Sequence, residues 1–146
     1  MRPLFTSDGP MTRLEAYQFI DEAPKGTHFY TVIINPDPEK ENTHKDLDMR
    51  QIAITTMQTI AEIVDTPVIW VAAIHDDHTD NNHVHALAAV NRRLDTPELN
   101  QIREVTTQAC LEQRQELDRS LSRQERERGG EGWEPEPTRA EDAWGE

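Results

Sequence analysis

The chain has little of what marks secreted, membrane-bound or disulfide-stabilised proteins. It contains one cysteine, Cys110, so no internal disulfide can form, which favours a reducing compartment. No apolar run approaches the roughly twenty residues of a membrane span, and the N-terminal stretch lacks the apolar core of a secretory signal. We therefore expect a cytoplasmic protein with no membrane partner.

Aromatic side chains and positive charge are also scarce. Aromatic residues make up 5% of the 146 residues and hydrophobic residues 35%, which favours one domain with a modest core. The formal net charge is -13, whereas a protein that coats nucleic acid by bulk electrostatics carries clustered Lys and Arg. The composition therefore argues against that class of protein.

The residues from 124 onward differ in composition from the rest. They include eight acidic and three basic residues, with Gly and Pro between them and few apolar side chains. Such a segment cannot bury enough surface to offset the entropy of ordering. We expect a folded domain over 1–123 and an acidic, disordered tail over 124–146. Trp133 and Trp144 are candidate docking points for accessory proteins, although isolated aromatics in a tail more often bind nothing specific.

Hydrophobic periodicity predicts alternating helices and strands before the tail. Thr12 and Glu15 have the spacing of a capping box and open a helix to about Glu22. Further helices are predicted over 47–64 and, with Thr96 as N-cap, to about Arg123. The apolar stretches over 28–35, 67–75 and 83–91 predict buried strands, the last two buried on both faces. We expect an α+β fold in which helices pack on a mostly antiparallel sheet.

Histidines are concentrated in "HDDHTDNNHVH", residues 75–85, which holds four of the six in the chain. Alternate residues of a strand share a face, so His83 and His85 point the same way. A hairpin closed by residues 76–82 would place His75 opposite His83 and bring three imidazoles together. Three neutral imidazoles on a rigid sheet predict a metal site with open coordination positions.

Weaker readings of the same stretch stay open. A histidine at a strand end is usually only a hydrogen-bonded residue, and a lone His-x-His pair is a weak signal. His78 is expected to be solvated or to lie outside the ligand set. Asp76, Asp77 and Asp80 are expected to be solvated or to orient the ligands. Imidazole ligands leave the choice among Zn, Mn, Co and Ni open.

The sequence resembles the relaxase, or mobilization nuclease, family of HUH endonucleases, which nick one DNA strand during plasmid or element transfer. The likeness covers about residues 28–91 and rests on His83-Val84-His85, preceded by His75 at the end of a tryptophan-led strand. It implies a five-stranded antiparallel sheet, a divalent ion (Mg or Mn) at the three histidines, and single-stranded DNA at a transfer-origin-like site. Asn82 stands where the family usually has proline.

The resemblance also implies a tyrosine nucleophile that forms a 5'-phosphotyrosyl adduct. Relaxases place it near the N-terminus, where "RPLFTSDG" holds none. Tyr17, on the first predicted helix, is the candidate catalytic residue, but its spacing from Leu14 and Ile20 equally fits a core side chain, which we favour. Tyr30 lies within a predicted strand and is expected to pack.

Three functions stay open from the sequence. The first is a relaxase-like nuclease, the second a catalytically silent DNA-binding or accessory module, and the third a histidine-metal hydrolase acting on another phosphodiester or a small molecule. Basic residues are candidate phosphate contacts, although scattered cations on an acidic protein are ordinarily solubilising surface. These candidates are Arg92, Arg93, Lys25, Lys40, Lys45 and Arg50.

Overall fold

The computed structural model describes residues 3–43, 46–75 and 82–130, with side chains as far as residue 126. The predictions made for Asp76, Asp77, His78 and Asp80, and for the tail residues 131–146, lie outside these ranges. The described residues divide into two units, one before and one after the boundary between Arg114 and Gln115. The first unit contains the whole sheet.

The described residues form a five-stranded antiparallel sheet and three helices, so the predicted α+β class is confirmed. The strand order across the sheet is β2-β1-β4-β5-β3, and every neighbouring pair is antiparallel. In chain order the elements are β1 (Leu4–Thr6), β2 (Gly9–Met11), α1 (Arg13–Asp21), β3 (His28–Ile34), α2 (Met49–Val64), β4 (Ile69–His75), β5 (His83–Val90) and α3 (Thr96–Gly130).

The hairpin of β1 and β2 was not predicted, because three-residue strands are too short to show a period. Its sequence signal is Asp8-Gly9 between apolar residues, and Gly9 has φ of 118°, a conformation that side chains disfavour. β1 extends the sheet by pairing with β4, where Phe5 lies opposite Ala72. The Phe5 ring meets Trp70 edge-on, with ring centroids 5.7 Å apart, so this hairpin is anchored in the core.

The sheet is covered by α2 on one face and is more open on the other, where Val71 of β4 is nonetheless buried. Along β5 the buried residues alternate with residues that keep some exposure, and the buried set is Val84, Ala86, Ala88 and Val90. α2 packs against β4 and β5. The side chains of Thr56 in α2 and Thr106 in α3 share a hydrogen bond of 2.7 Å. The expectation that these central strands are buried on both faces is therefore wrong for β5 and for the ends of β4, whereas at Trp70, Val71 and Ala72 both faces of β4 are buried. It failed because β4 and β5 are apolar on both faces, which hides the alternation.

β3 lies at an edge of the sheet and is not the buried strand that we expected. Among the described residues it pairs with β5 alone. Phe29 and Ile33 are exposed on the open face, while Ile34 reaches the core. β-branched and aromatic residues are typical of edge and central strands alike, so composition did not distinguish the two.

The helix starts follow the predicted capping chemistry with small shifts. In α1 the Glu15 N–H donates to Thr12 Oγ1 and the Thr12 N–H donates to Glu15 Oε1, which confirms the capping box. α2 begins after the N-cap Asp48. At α3 the cap is Asp95 rather than Thr96, because Asp95 and Glu98 exchange two hydrogen bonds of 2.9 Å. α3 continues to Gly130, seven residues past the predicted end, so the expectation of disorder is wrong for residues 124–130.

The single cysteine is enclosed in this fold. Cys110 on α3 is 2% exposed. Burial, with a smaller contribution from the charge of Glu41, raises the pKa of its thiol to about 12. The thiol is therefore held in its unreactive protonated form.

Two isoleucines that differ in burial should differ in how much they contribute to stability. Ile60 in α2 is 1% exposed and Ile69 in β4 is 58% exposed. We expect Ile60→Ala to lower the free energy of unfolding by about 2–5 kcal/mol, because it leaves a cavity in the core. Ile69→Ala should change it by less than about 0.5 kcal/mol. Urea unfolding followed by circular dichroism measures both, and equal losses would mean that the Ile69 face is covered.

Candidate metal centre

The pairing of β4 with β5 brings the three predicted histidines together. His75 lies directly opposite His83, and His85 lies opposite Ala73, two residues along the same pair of strands. All three therefore project from the same face of the sheet, the open one. This pairing of His75 with His83 is the register that we predicted from the sequence.

The imidazole rings form a compact group. The ring centroids lie 4.2 Å apart for His75 and His85, 5.0 Å for His83 and His85, and 5.1 Å for His75 and His83. One ring nitrogen from each residue lies within 4.8 Å of the others. Nitrogens that share one ion at about 2.1 Å stand roughly 3–3.5 Å apart, so small side-chain rotations suffice to bind it. The group could hold a metal ion.

Val84 explains why the two β5 histidines are presented outward. Val84 lies between His83 and His85 in sequence, and its side chain is fully buried in the core beneath the sheet. Because successive residues of a strand point to opposite faces, a buried Val84 places His83 and His85 on the solvent side. His83 and His75 are half-buried and His85 is exposed, so a bound ion would keep positions open to solvent.

A shallow concavity of about 260 Å³ lies beside His85 on the same face. Its lining is mainly apolar and comes from the inner strands together with Thr31 of β3. The lining residues are Leu4, Thr31, Val71, Ala72, Ala73, His85, Ala86 and Leu87. A molecule coordinated at the histidines would therefore rest against uncharged sheet surface.

The ligand group contains three imidazoles and no carboxylate, as far as the described residues reach. His78 and the neighbouring acids fall outside the described ranges, so their predicted supporting roles stay predictions. His28, a fourth histidine, is exposed at the start of β3 and lies opposite Val90, at the far end of β5 from His83. It does not belong to the group.

The two tyrosines have different placements. Tyr17 is 56% exposed on α1, so the core position that we favoured is wrong. On this helix Ala16 is the buried residue, because the short helix turns the predicted stripe of Leu14, Tyr17 and Ile20 away from the core. Nucleophilic action by Tyr17 stays a prediction.

Tyr30 is engaged on the other side of the sheet from the histidines. It lies opposite Ala88, a residue of the covered face. Its hydroxyl accepts a 2.8 Å hydrogen bond from the Leu94 N–H and so holds the turn between β5 and α3. The predicted packing role fits this placement, and the covered face separates Tyr30 from the candidate site.

One of the predicted phosphate contacts is occupied within the fold. Arg92 forms two hydrogen bonds to the Glu98 carboxylate, at 2.7 Å and 2.9 Å, and also donates to the Ile63 carbonyl. The Arg92 hydrogen bond and the Asp95 backbone N–H lower the pKa of Glu98 to about 2. Arg92 thus ties the start of α3 to the end of α2, a structural role that the sequence reading missed.

The other predicted phosphate contacts differ in their surroundings. The Arg50 guanidinium lies over the Phe5 ring, 4.9 Å from its centroid, and so also has an internal contact. Arg93, Lys25 and Lys40 are exposed, and Lys45 lies outside the described residues.

Comparisons of the chain with protein-family models, with curated proteins and with solved structures found no match. The chemistry of the site must therefore be inferred from its own geometry. The helices of the described ranges include none that is long and apolar enough to cross a membrane.

The histidine group predicts a single shared metal site. His75→Ala, His83→Ala and His85→Ala should each weaken binding of Mn²⁺ or Zn²⁺ by at least about tenfold, because each removes one ligand. His28→Ala is the matched control and should leave the affinity unchanged. Isothermal titration calorimetry measures all four variants. Equal affinity in the wild type and the three cluster variants would refute the site.

Proposed function

We propose that this chain is a relaxase-like, metal-dependent endonuclease that nicks single-stranded DNA in plasmid or mobile-element transfer. The observation that carries the proposal is the set of three imidazoles on adjacent strands, with ligating nitrogens within 4.8 Å and an open solvent side. An open site of this kind leaves room for a phosphate oxygen, as nuclease chemistry requires. We propose DNA as the substrate because residues 75–85 resemble the relaxase motif.

The ion that we propose is Mn²⁺ or Mg²⁺. Mg²⁺ prefers oxygen ligands and keeps several waters, whereas imidazole nitrogen suits the transition metals better. On ligand chemistry alone Mn²⁺ is the better fit of the two, and Zn, Co and Ni remain alternatives. The bound ion would polarise a phosphate ester and offset the negative charge that develops on its oxygens.

The residues around the histidines have roles of their own in this proposal. The apolar lining beside His85, which includes Val71, Ala73 and Leu87, suits the faces of bases and sugars in a single strand. It adds no charge of its own, so the bound strand is positioned by shape and by its phosphate at the histidines.

Tyr17 is our proposed nucleophile because its side chain is exposed on a helix outside the core. In the reaction, its hydroxyl oxygen loses its proton and bonds to phosphorus, while the bond from phosphorus to the 3'-oxygen breaks and that oxygen takes up a proton. The products are a 5'-phosphotyrosyl adduct and a free 3'-hydroxyl.

The alternative is a catalytically silent relaxase-like module that binds DNA or assists another subunit. The imidazole rings of His75, His83 and His85 contact one another, and Tyr17 lies on a separate element, α1. The net charge of -13 also favours a role with limited DNA contact. In either case the acidic tail, residues 124–146, is our candidate for contact with accessory mobilization proteins.

Nicking can be tested with single-stranded oligonucleotides that tile the DNA of the protein's own element, incubated with Mn²⁺ or Mg²⁺. We expect a shortened oligonucleotide and a covalent protein-DNA band on a denaturing gel. His85→Ala should abolish both products, because it removes a ligand of the proposed ion. Cleavage without an adduct would indicate activated water, and metal binding with neither product would favour the silent module.

Two tyrosine variants identify the nucleophile. Tyr17→Phe should abolish the covalent band and retain metal affinity, because it removes only the hydroxyl. Tyr30→Phe is the matched control, since that hydroxyl is used on the covered face. It should retain the band and lose about 1 kcal/mol of stability with its hydrogen bond. An adduct that survives Tyr17→Phe would assign the nucleophile to another residue.

A further inference from the structure

β3 is a long and unprotected edge strand. Over His28–Ile34 it pairs with β5 on one side, and on its other side no described residue hydrogen-bonds to its backbone. Edge strands are usually short, charged, bulged or interrupted by proline, because a bare edge templates pairing with another chain. β2, at the opposite edge, has three residues and contains Pro10. β3 has seven residues with no proline and no acidic or lysine side chain.

The side chains of this edge are also suited to contact. Phe29 and Ile33 are 43% and 59% exposed. Thr31 lies between them and is exposed as well. All three project from the open face of the sheet, because they lie opposite Ala89, Leu87 and His85. The edge thus offers free backbone groups together with uncharged side chains.

We propose that this edge is occupied by a second copy of the chain, through antiparallel pairing of two β3 strands about a two-fold axis. Such an axis requires one residue to lie opposite its own copy, and Thr31 is the middle residue of the strand. Phe29 of each copy then lies opposite Ile33 of the other. Aromatic and β-branched residues are a favourable cross-strand pair.

Charge complementarity supports the same register. Lys25 precedes β3 and Asp37 follows it, at equal distances along the chain from Thr31. Antiparallel pairing about Thr31 therefore brings Lys25 of each copy toward Asp37 of the other. Opposite charges at both ends of the paired β3 strands favour this register. They also offset part of the repulsion between two copies that each carry a net charge of -13.

The paired sheets would carry both histidine groups on one continuous face. With strands about 4.8 Å apart and a rise of about 3.3 Å per residue, the centres of the two groups would lie roughly 28 Å apart. The inference concerns how the fold associates and holds whether or not the chain nicks DNA.

Sedimentation velocity of the full chain over a concentration series tests the association. We expect a dimer in the wild type. Ile33→Lys should weaken self-association by at least about tenfold, because it places a charge on the paired edge. Ile69→Lys is the matched control, since Ile69 has the same exposure on the same face but lies on the inner strand β4. It should remain dimeric. A monomeric wild type, or equal weakening by both variants, would overturn the proposal.

Disulfide trapping tests the register. Thr31→Cys should form a covalent dimer under mild oxidation with diamide, because Cβ atoms of directly opposed residues lie about 5 Å apart. Ile69→Cys should not, and the buried Cys110 does not compete. Failure of Thr31→Cys to cross-link in a dimeric sample would overturn the pairing about Thr31. Metal titration of the same variants reports on the histidine group separately, so failure of one proposal does not obscure the other.

Discussion

The register between β4 and β5 is the constraint on which the candidate site depends. Because side chains alternate between faces, a slip of one residue would turn the histidines of one strand toward the core. Burial of Val84 and of its neighbours on the covered face opposes that slip, since each exposed methylene would forfeit about 0.8 kcal/mol. The hydrophobic core therefore specifies where the polar ligands lie, and the ligands themselves need contribute nothing to folding.

The part of the structure that the sequence predicted best is the part whose signals are local. The capping box at Thr12, the end of α2 near Val64 and the facing of His75 with His83 all follow from short-range rules of spacing and pairing. The histidine group was predictable because two strands and a short loop leave few registers. Direct pairing then brings the side chains together without long-range information.

The features that could not be predicted depend on contacts distant in sequence. Which face of β4 and β5 is covered depends on where α2 packs, and an apolar residue such as Ile69 or Leu87 is equally typical of a covered or an open face. The exposure of Tyr17 likewise depends on the position of α1, which its periodicity does not encode. The role of Arg92 requires Ile63 and Glu98 to meet, and they belong to different helices.

The buried thiol of Cys110 can report how often the packing around it opens. A thiol-specific reagent needs the thiolate, and this sulfur is both shielded and held protonated by burial. Labelling can therefore proceed only when the packing around α3 opens. The labelling rate of the wild-type protein thus measures the frequency of these openings.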